Sequence, residues 1–175
     1  MSKTAIVIPA RWASTRLPAK PLLPLAGKPL VRHVWERCSK VRGVDAVIIA
    51  TDDMRIAEAA FEFGAEVAMT SPRHPSGTDR IAEVAKNLVG FDIVLNVQGD
   101  EPFIQPALVE KLATALREDK KLEMSTAACA LDPADLANPN CVKVVTDLAG
   151  NAPLRQRLEF LGDAVLQLIF TEYLF

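Results

Sequence analysis

At 175 residues, 50% of them hydrophobic and 24% charged, the chain can bury one good core, while two full domains would be cramped. A net charge of −2 leaves no electrostatic footprint for nucleic acid or an anionic membrane, so any phosphate binding must be local, through clustered cations. No run of about 18 apolar residues is available to insert in a membrane, and the apolar start is too short for a signal peptide. Cys38, Cys129 and Cys141 are odd in number and lack CxxC spacing, which fits a reduced, cytoplasmic setting.

Residues 4–8 form a β-branched apolar run closed by Pro9, the pattern of a strand buried on both faces. A polar loop follows, carrying Arg11, Ser14, Thr15, Arg16 and Lys20 among small residues and prolines. Open α/β sheets place ligands at such a strand end, and guanidiniums with a lysine suit a polyphosphate; a solvated basic loop is the plainer alternative. Pro29 is placed to start a helix with Leu30, Val31, Val34, Trp35 and Cys38 at helical spacing, closed by Gly43. Residues 46–50 read as a second buried strand. The Thr51-Asp52-Asp53 run can cap a helix with Ile56, Ala60 and Phe63 on its apolar face, ended by Gly64. Residues 66–69 give a third short strand, and the alternation predicts an α/β fold: a mostly parallel sheet with helices on both faces.

Two further loops fall at predicted strand ends. In residues 70–80, Ser76, Gly77 and Thr78 open the next helix and offer hydrogen bonds at its positive end, although Ser76 or Thr78 as a simple N-cap would explain them too. Residues 91–97 form a strand running into Gln98, Gly99, Asp100 and Glu101, either a solvated acidic turn or a place for a hard cation such as Mg²⁺ beside phosphate. Residues 106–116 read as an amphipathic helix, and residues 125–131 and 139–147 as further strands.

The run Pro-Ala-Arg-x-x-Ser-Thr-Arg-Leu-Pro-x-Lys-Pro from Pro9, with Ala26-Gly27-Lys28-Pro29, resembles the opening of the sugar-activating nucleotidyltransferases. Within them it is most similar to the 3-deoxy-manno-octulosonate (Kdo) cytidylyltransferase family, as are His74-x-Ser-Gly-Thr-Asp-Arg80 and Asn96-Val-Gln-Gly-Asp-Glu-Pro102. The resemblance implies transfer of a cytidylyl group from CTP to the acidic sugar Kdo for lipopolysaccharide biosynthesis, with Mg²⁺ as cofactor and a homodimer as the assembly. It implies Arg16, Lys20 and Asp100 as catalytic residues, Asp100 holding the metal. Arg11, Ser14, Thr15, Ser76, Gly77 and Thr78 would contact the nucleotide, and Gln98 the sugar.

That resemblance covers residues 1–150, an incomplete nucleotide-binding domain. Over residues 155–175, the run Gln156-Arg-Leu-Glu-Phe-Leu-Gly-Asp-Ala-Val-Leu166 resembles the signature helix of ribonuclease III, a metal-dependent nuclease for double-stranded RNA. Glu159 and Asp163, four apart, would share a helix face and offer an alternative metal site. Gln156 departs from that family's usual acid, and its second acidic cluster has no counterpart. A helical tail over residues 151–175, with Leu158, Leu161, Val165 and Leu168 as an apolar stripe, is the expectation. With the sugar-binding half not found after Asn151, sugar transfer by this chain is expected to be impaired, and nucleic acid is not an expected partner.

Overall fold

The structure, a computed structural model, describes residues 3–13, 17–128, 130, 132–138 and 143, and the backbone of 168–170. The first strand, β1 (Lys3–Ala10), lies at the centre of the sheet, and its residues 5–8 have no solvent exposure. A small antiparallel hairpin of β2 (Pro24–Leu25) and β3 (Lys28–Pro29) leads into α1 (Leu30–Cys38). Then come β4 (Ala46–Thr51), α2 (Met54–Glu62), β5 (Glu66–Met69), α3 (Gly77–Asn87), β6 (Phe91–Asn96) and α4 (Pro106–Glu118), with β7 (Leu168–Phe170) last. The sheet order is β5-β4-β1-β6-β7, with every pair parallel except β6–β7.

Alternate residues of β1 feed two apolar cores, as a strand's two-residue period requires. Ile6, Ile8 and Ala10 pack with Val31 and Val34 of α1, Ile56 and Ala60 of α2, and Val109 and Ala113 of α4. On the other face Val7 packs with Ile81, Val84 and Ala85 of α3. The chain runs from β1 outward to β4 and β5, then returns to pair β6 on β1's other side. Between β1 and β6, therefore, lies the switch point where an open α/β sheet parts its loops and forms a crevice.

Several sequence expectations shift. Pro9 does not close β1, which pairs on to Ala10 against Thr51. The N–H of Val97 bonds the carbonyl of Val7, so odd-numbered residues of β1 face β6, and β6 pairing ends at Val7–Asn96. Proline's missing donor therefore faces beyond the last ladder bond and costs nothing there. Helix α1 ends at Cys38 rather than near Gly43, because α4 draws in the next turn: Glu110 accepts from the Arg42 backbone N–H at 3.0 Å and from its guanidinium at 2.9 Å. Gly43 sits in the turn that follows.

Residues 125–128 form no strand but a single bridge at Thr126, and the β6 edge is occupied by β7 instead. The helical tail is likewise corrected at its one described stretch. Leu168–Phe170 is extended and pairs antiparallel with Ile93–Leu95, because an open strand edge presents unpaired backbone donors and acceptors that an apolar, partly β-branched segment can satisfy. The remainder of the tail, and the strand expected over residues 139–147, lie outside the described residues. No helix among the described residues is long and apolar enough to cross a membrane. Cys38 is buried, and burial pushes its thiol up to about 12, which leaves it an inert core residue; Cys129 and Cys141 lie outside the described residues.

Candidate active site

Three loops leave carboxyl ends of the sheet and meet over Pro9. The first follows β1. Its two ends are tied by the Ala19 N–H donating to the Trp12 carbonyl at 3.0 Å, and Ala19 itself turns left-handed at φ 57° to start a short 3₁₀ turn, Lys20–Leu22. Trp12 is clamped from outside. The Arg55 guanidinium lies 3.3 Å over its ring and is gripped by both Asp53 oxygens, at 2.8 and 2.6 Å. Asp53 is also the N-cap of α2, as its sequence position suggests, accepting from the Arg55 backbone N–H at 3.0 Å. Arg55 holds the Asp53 carboxyl below its ordinary range by that hydrogen bonding. Lys20 and Arg11 are thus carried by a loop anchored at both ends; Arg11 is exposed, and Ser14, Thr15 and Arg16 lie outside the described residues.

The second contributing loop follows β6. Gly99 crosses so close to β1 that a Cβ there would stand 2.8 Å from the Pro9 carbonyl oxygen, a contact with backbone that no rotamer change relieves. This approach brings Asp100 to Lys20: Nζ donates to Oδ2 at 2.5 Å, across the switch point and 80 residues of sequence. Each side chain keeps 39% of its exposure. Gln98 is half-buried and donates to the Asn96 side chain at 3.1 Å. Glu101, next to Asp100, has its carboxyl pushed up, first by burial and then by the Asp100 charge.

The third loop joins β5 to α3. Ser76 is the N-cap of α3: its Oγ accepts from the Asp79 N–H at 3.1 Å and donates to the Asp79 carboxylate at 2.5 Å. The capping role anticipated as an alternative is therefore real, and it leaves the amides of the first helical turn at the site. Gly77 lies against Pro9, where a Cβ would be 3.3 Å from the ring and 3.7 Å from Gln98 Oε1. Thr78 is half-buried beside it. His74 pairs with Glu83, which also accepts from the Ser71 N–H at 2.9 Å, so the loop is stapled back on its own helix. His74, followed first by Ser71, lowers the Glu83 carboxyl.

Beneath this loop is a polar network that sequence reading missed. Arg80 is 2% exposed; its guanidinium donates to Asp52 at 2.9 Å and to the Thr70 hydroxyl, which itself donates to the Thr51 carbonyl at 3.0 Å. Arg80 thereby locks the first turn of α3 to the ends of β4 and β5. The available signal was that Arg80 shares a helix face with Val84, a buried residue four positions on.

Asp100 contacts Lys20 of the phosphate-suited loop and Glu101 adjoins it in sequence, and among the described residues no group of three or more His, Cys, Asp or Glu forms a ready-made metal cage. One or two carboxylates suit Mg²⁺, which takes its other oxygens from phosphates and water, so this donor set fits a metal that arrives with phosphate.

A Rossmann-like strand order, with a lysine and an acid facing each other at the switch point and a helix N-terminus alongside, gives an α/β fold of the nucleotide-sugar transferase type. The cytidylyltransferase family model matches residues 5–164, and the chain belongs to that family. It is 51% identical over 153 residues to the 3-deoxy-manno-octulosonate cytidylyltransferase of Geobacter sulfurreducens, covering 87% of this chain and 60% of that protein. To the enzyme of the same name from Cellvibrio japonicus it is 53% identical over 150 residues, covering 84% and 58%. Among solved structures, a CMP:2-keto-3-deoxy-manno-octonic acid synthetase complexed with CTP superposes with a TM-score of 0.84 at 42% identity, over 98% of this chain and 72% of that one. The chain thus spans about three-fifths of the length of the curated relatives it matches. The ribonuclease resemblance finds no support among these matches: the cytidylyltransferase match itself runs through Glu159 and Asp163, both outside the described residues.

Proposed function

We propose that this domain binds CTP with Mg²⁺ and serves a cytidylyltransferase that activates Kdo, releasing pyrophosphate. The observation that carries the reading is the Lys20–Asp100 pair at the β1–β6 switch point, which sets a mobile cation and a metal-competent carboxylate side by side where a triphosphate would lie. The name of the relatives supports the sugar, and the CTP-bound relative supports the nucleotide. In this reading Lys20, Arg11 and Arg16 bind phosphate oxygens, with Ser14 and Thr15 donating from the same loop. The amides at Gly77 and Thr78, beyond the Ser76 cap, face the nucleotide at a positive helix end. Gln98 faces the sugar.

The chemical step is attack of the sugar's anomeric hydroxyl on the α-phosphorus. A P–O bond forms to the sugar while the bond to the β,γ-diphosphate breaks, and the hydroxyl proton passes to solvent or a neighbouring base. Asp100 would hold the metal, which supplies charge stabilisation at the phosphates when bound. The protein's own part is to orient both substrates and offset charge, through the clamped first loop and the α3 N-terminus. Assembly as a homodimer and action in the cytoplasm belong to the same reading.

Calorimetry with CTP and Mg²⁺ tests it. Lys20→Ala should weaken binding by about 1.5–3 kcal/mol, the range for a charge-assisted hydrogen bond, or roughly ten- to a hundredfold. Equal affinity in wild type and variant would sink the assignment. A pyrophosphate-release assay with CTP and Kdo, run beside Asp100→Ala, separates transfer from binding: CTP binding without release is the outcome expected of a chain that spans about three-fifths of the length of its relatives, and any release that does occur should be lost in Asp100→Ala.

A further inference from the structure

We infer that Lys20 is a placeholder for the divalent cation at Asp100, so that metal enters the site only together with the nucleotide. The inference rests on the function proposed above and adds an order of events to it. Its starting observation is that the Lys20 ammonium is not extended toward solvent on its loop. It sits 2.5 Å from Asp100 Oδ2, in direct hydrogen-bond contact with an oxygen a metal would use. An ammonium there neutralises the carboxylate and repels a dication approaching it. No cluster of three or more acids or histidines among the described residues offers a free cation a second home.

The pair is also built to open. Both side chains keep 39% exposure, so solvent screens the bond and it is held weakly. The Lys20 backbone is fixed, since Ala19 is tied to Trp12 and Pro21 is buried, but its four-carbon stem is free to swing from that anchor. A triphosphate carries several charges against Asp100's one, and so outcompetes it for the ammonium. Lys20 then turns to phosphate, and the carboxylate is uncovered at the moment a phosphate-bound metal arrives. Asp100 is held against Lys20 by the Gly99 crossing, so the exchange needs only a side-chain rotation.

The consequence is a crossing of signs that a purely structural role for Lys20 would not produce. Removing the lysine should strengthen binding of metal alone while weakening binding of CTP. The test titrates the full chain with Mn²⁺ in the absence of nucleotide, read by electron paramagnetic resonance of free Mn²⁺, and separately with CTP and Mg²⁺ by calorimetry. Lys20→Ala and Lys20→Gln should each bind Mn²⁺ about fivefold or more tightly than wild type, as expected when a contacting positive charge is removed. Lys20→Arg, which keeps the charge, should stay near wild type. Adding Asp100→Asn to Lys20→Ala should abolish the gain. Thermal melts check that each variant is folded, and using two neutral replacements guards against one that misfolds. Mn²⁺ affinity unchanged in both neutral variants overturns the placeholder role while leaving the nucleotide assignment standing. A wild-type chain that fails to bind CTP with Mg²⁺ overturns the assignment itself, and the placeholder role with it.

Discussion

The Arg80 network gives the sharpest stability test. The Arg80 and Asp52 side chains are 3% and 12% exposed, and their 2.9 Å ion pair is the donor Asp52 Oδ2 has; Oδ1 is buried with no hydrogen-bond partner among the described residues. Arg80→Ala would leave that carboxylate buried without its cation, and the Thr70 hydroxyl without its donor. Breaking one side of a buried pair costs about 3–5 kcal/mol, because the remaining charge is stranded. In a chain of this size that lowers the melting midpoint by roughly 6–20 °C. Replacing both members by apolar residues, Arg80→Met with Asp52→Leu, should recover most of the loss, since no charge is then stranded and the volume is kept. Urea denaturation followed by circular dichroism measures both, and the m-value checks that the unfolded state is unchanged. The single variant should also bind CTP more weakly despite Arg80's lack of exposure, because the first turn of α3 loses its anchor to β4 and β5. A loss below about 1 kcal/mol for Arg80→Ala, or a double variant no better than the single, would refute the account of Arg80 as a buried, charge-paired lock.

Gly99→Ala sets a Cβ 2.8 Å from the Pro9 carbonyl and should cost about 1–3 kcal/mol, with CTP affinity falling as Asp100 is displaced; Gly77→Ala, at 3.3 Å from a proline ring, should cost less in the same melts. Asp53 supplies a pH signature. Its carboxyl is lowered by Arg55, so its charge stabilises the fold above the ordinary aspartate value, about 3.9, and that contribution is lost as pH falls through the lower folded value. Asp53→Asn keeps an N-cap but loses the charge. The melting gap between wild type and this variant should therefore be present at neutral pH and close below about pH 4, and a gap that widens in acid would contradict the Arg55 pairing.

What the sequence determined by itself was chemistry that acts over a few residues. Residues 4–8 declare a buried strand because a threonine and four apolar side chains in a row must be covered on both faces, and β1 is indeed central. Ser76 and Asp53 declare helix starts because a short oxygen-bearing side chain reaches the second or third amide ahead, as both do. The loop cations and Asp100 were legible as phosphate- and metal-suited types. Their meeting was not, since Lys20 and Asp100 are 80 residues apart and are joined only because β6 returns to the far side of β1. The same holds for Arg80 with Asp52, 28 residues apart, and for Gly99 against Pro9. The extended run expected at residues 125–131 is not a strand in its described part, since strand formation needs an edge to pair with and β7 takes that of β6. Local oxygen and amide groups find partners wherever the chain goes, whereas a paired charge across a crevice exists only once sheet order has brought two distant loops to the same place.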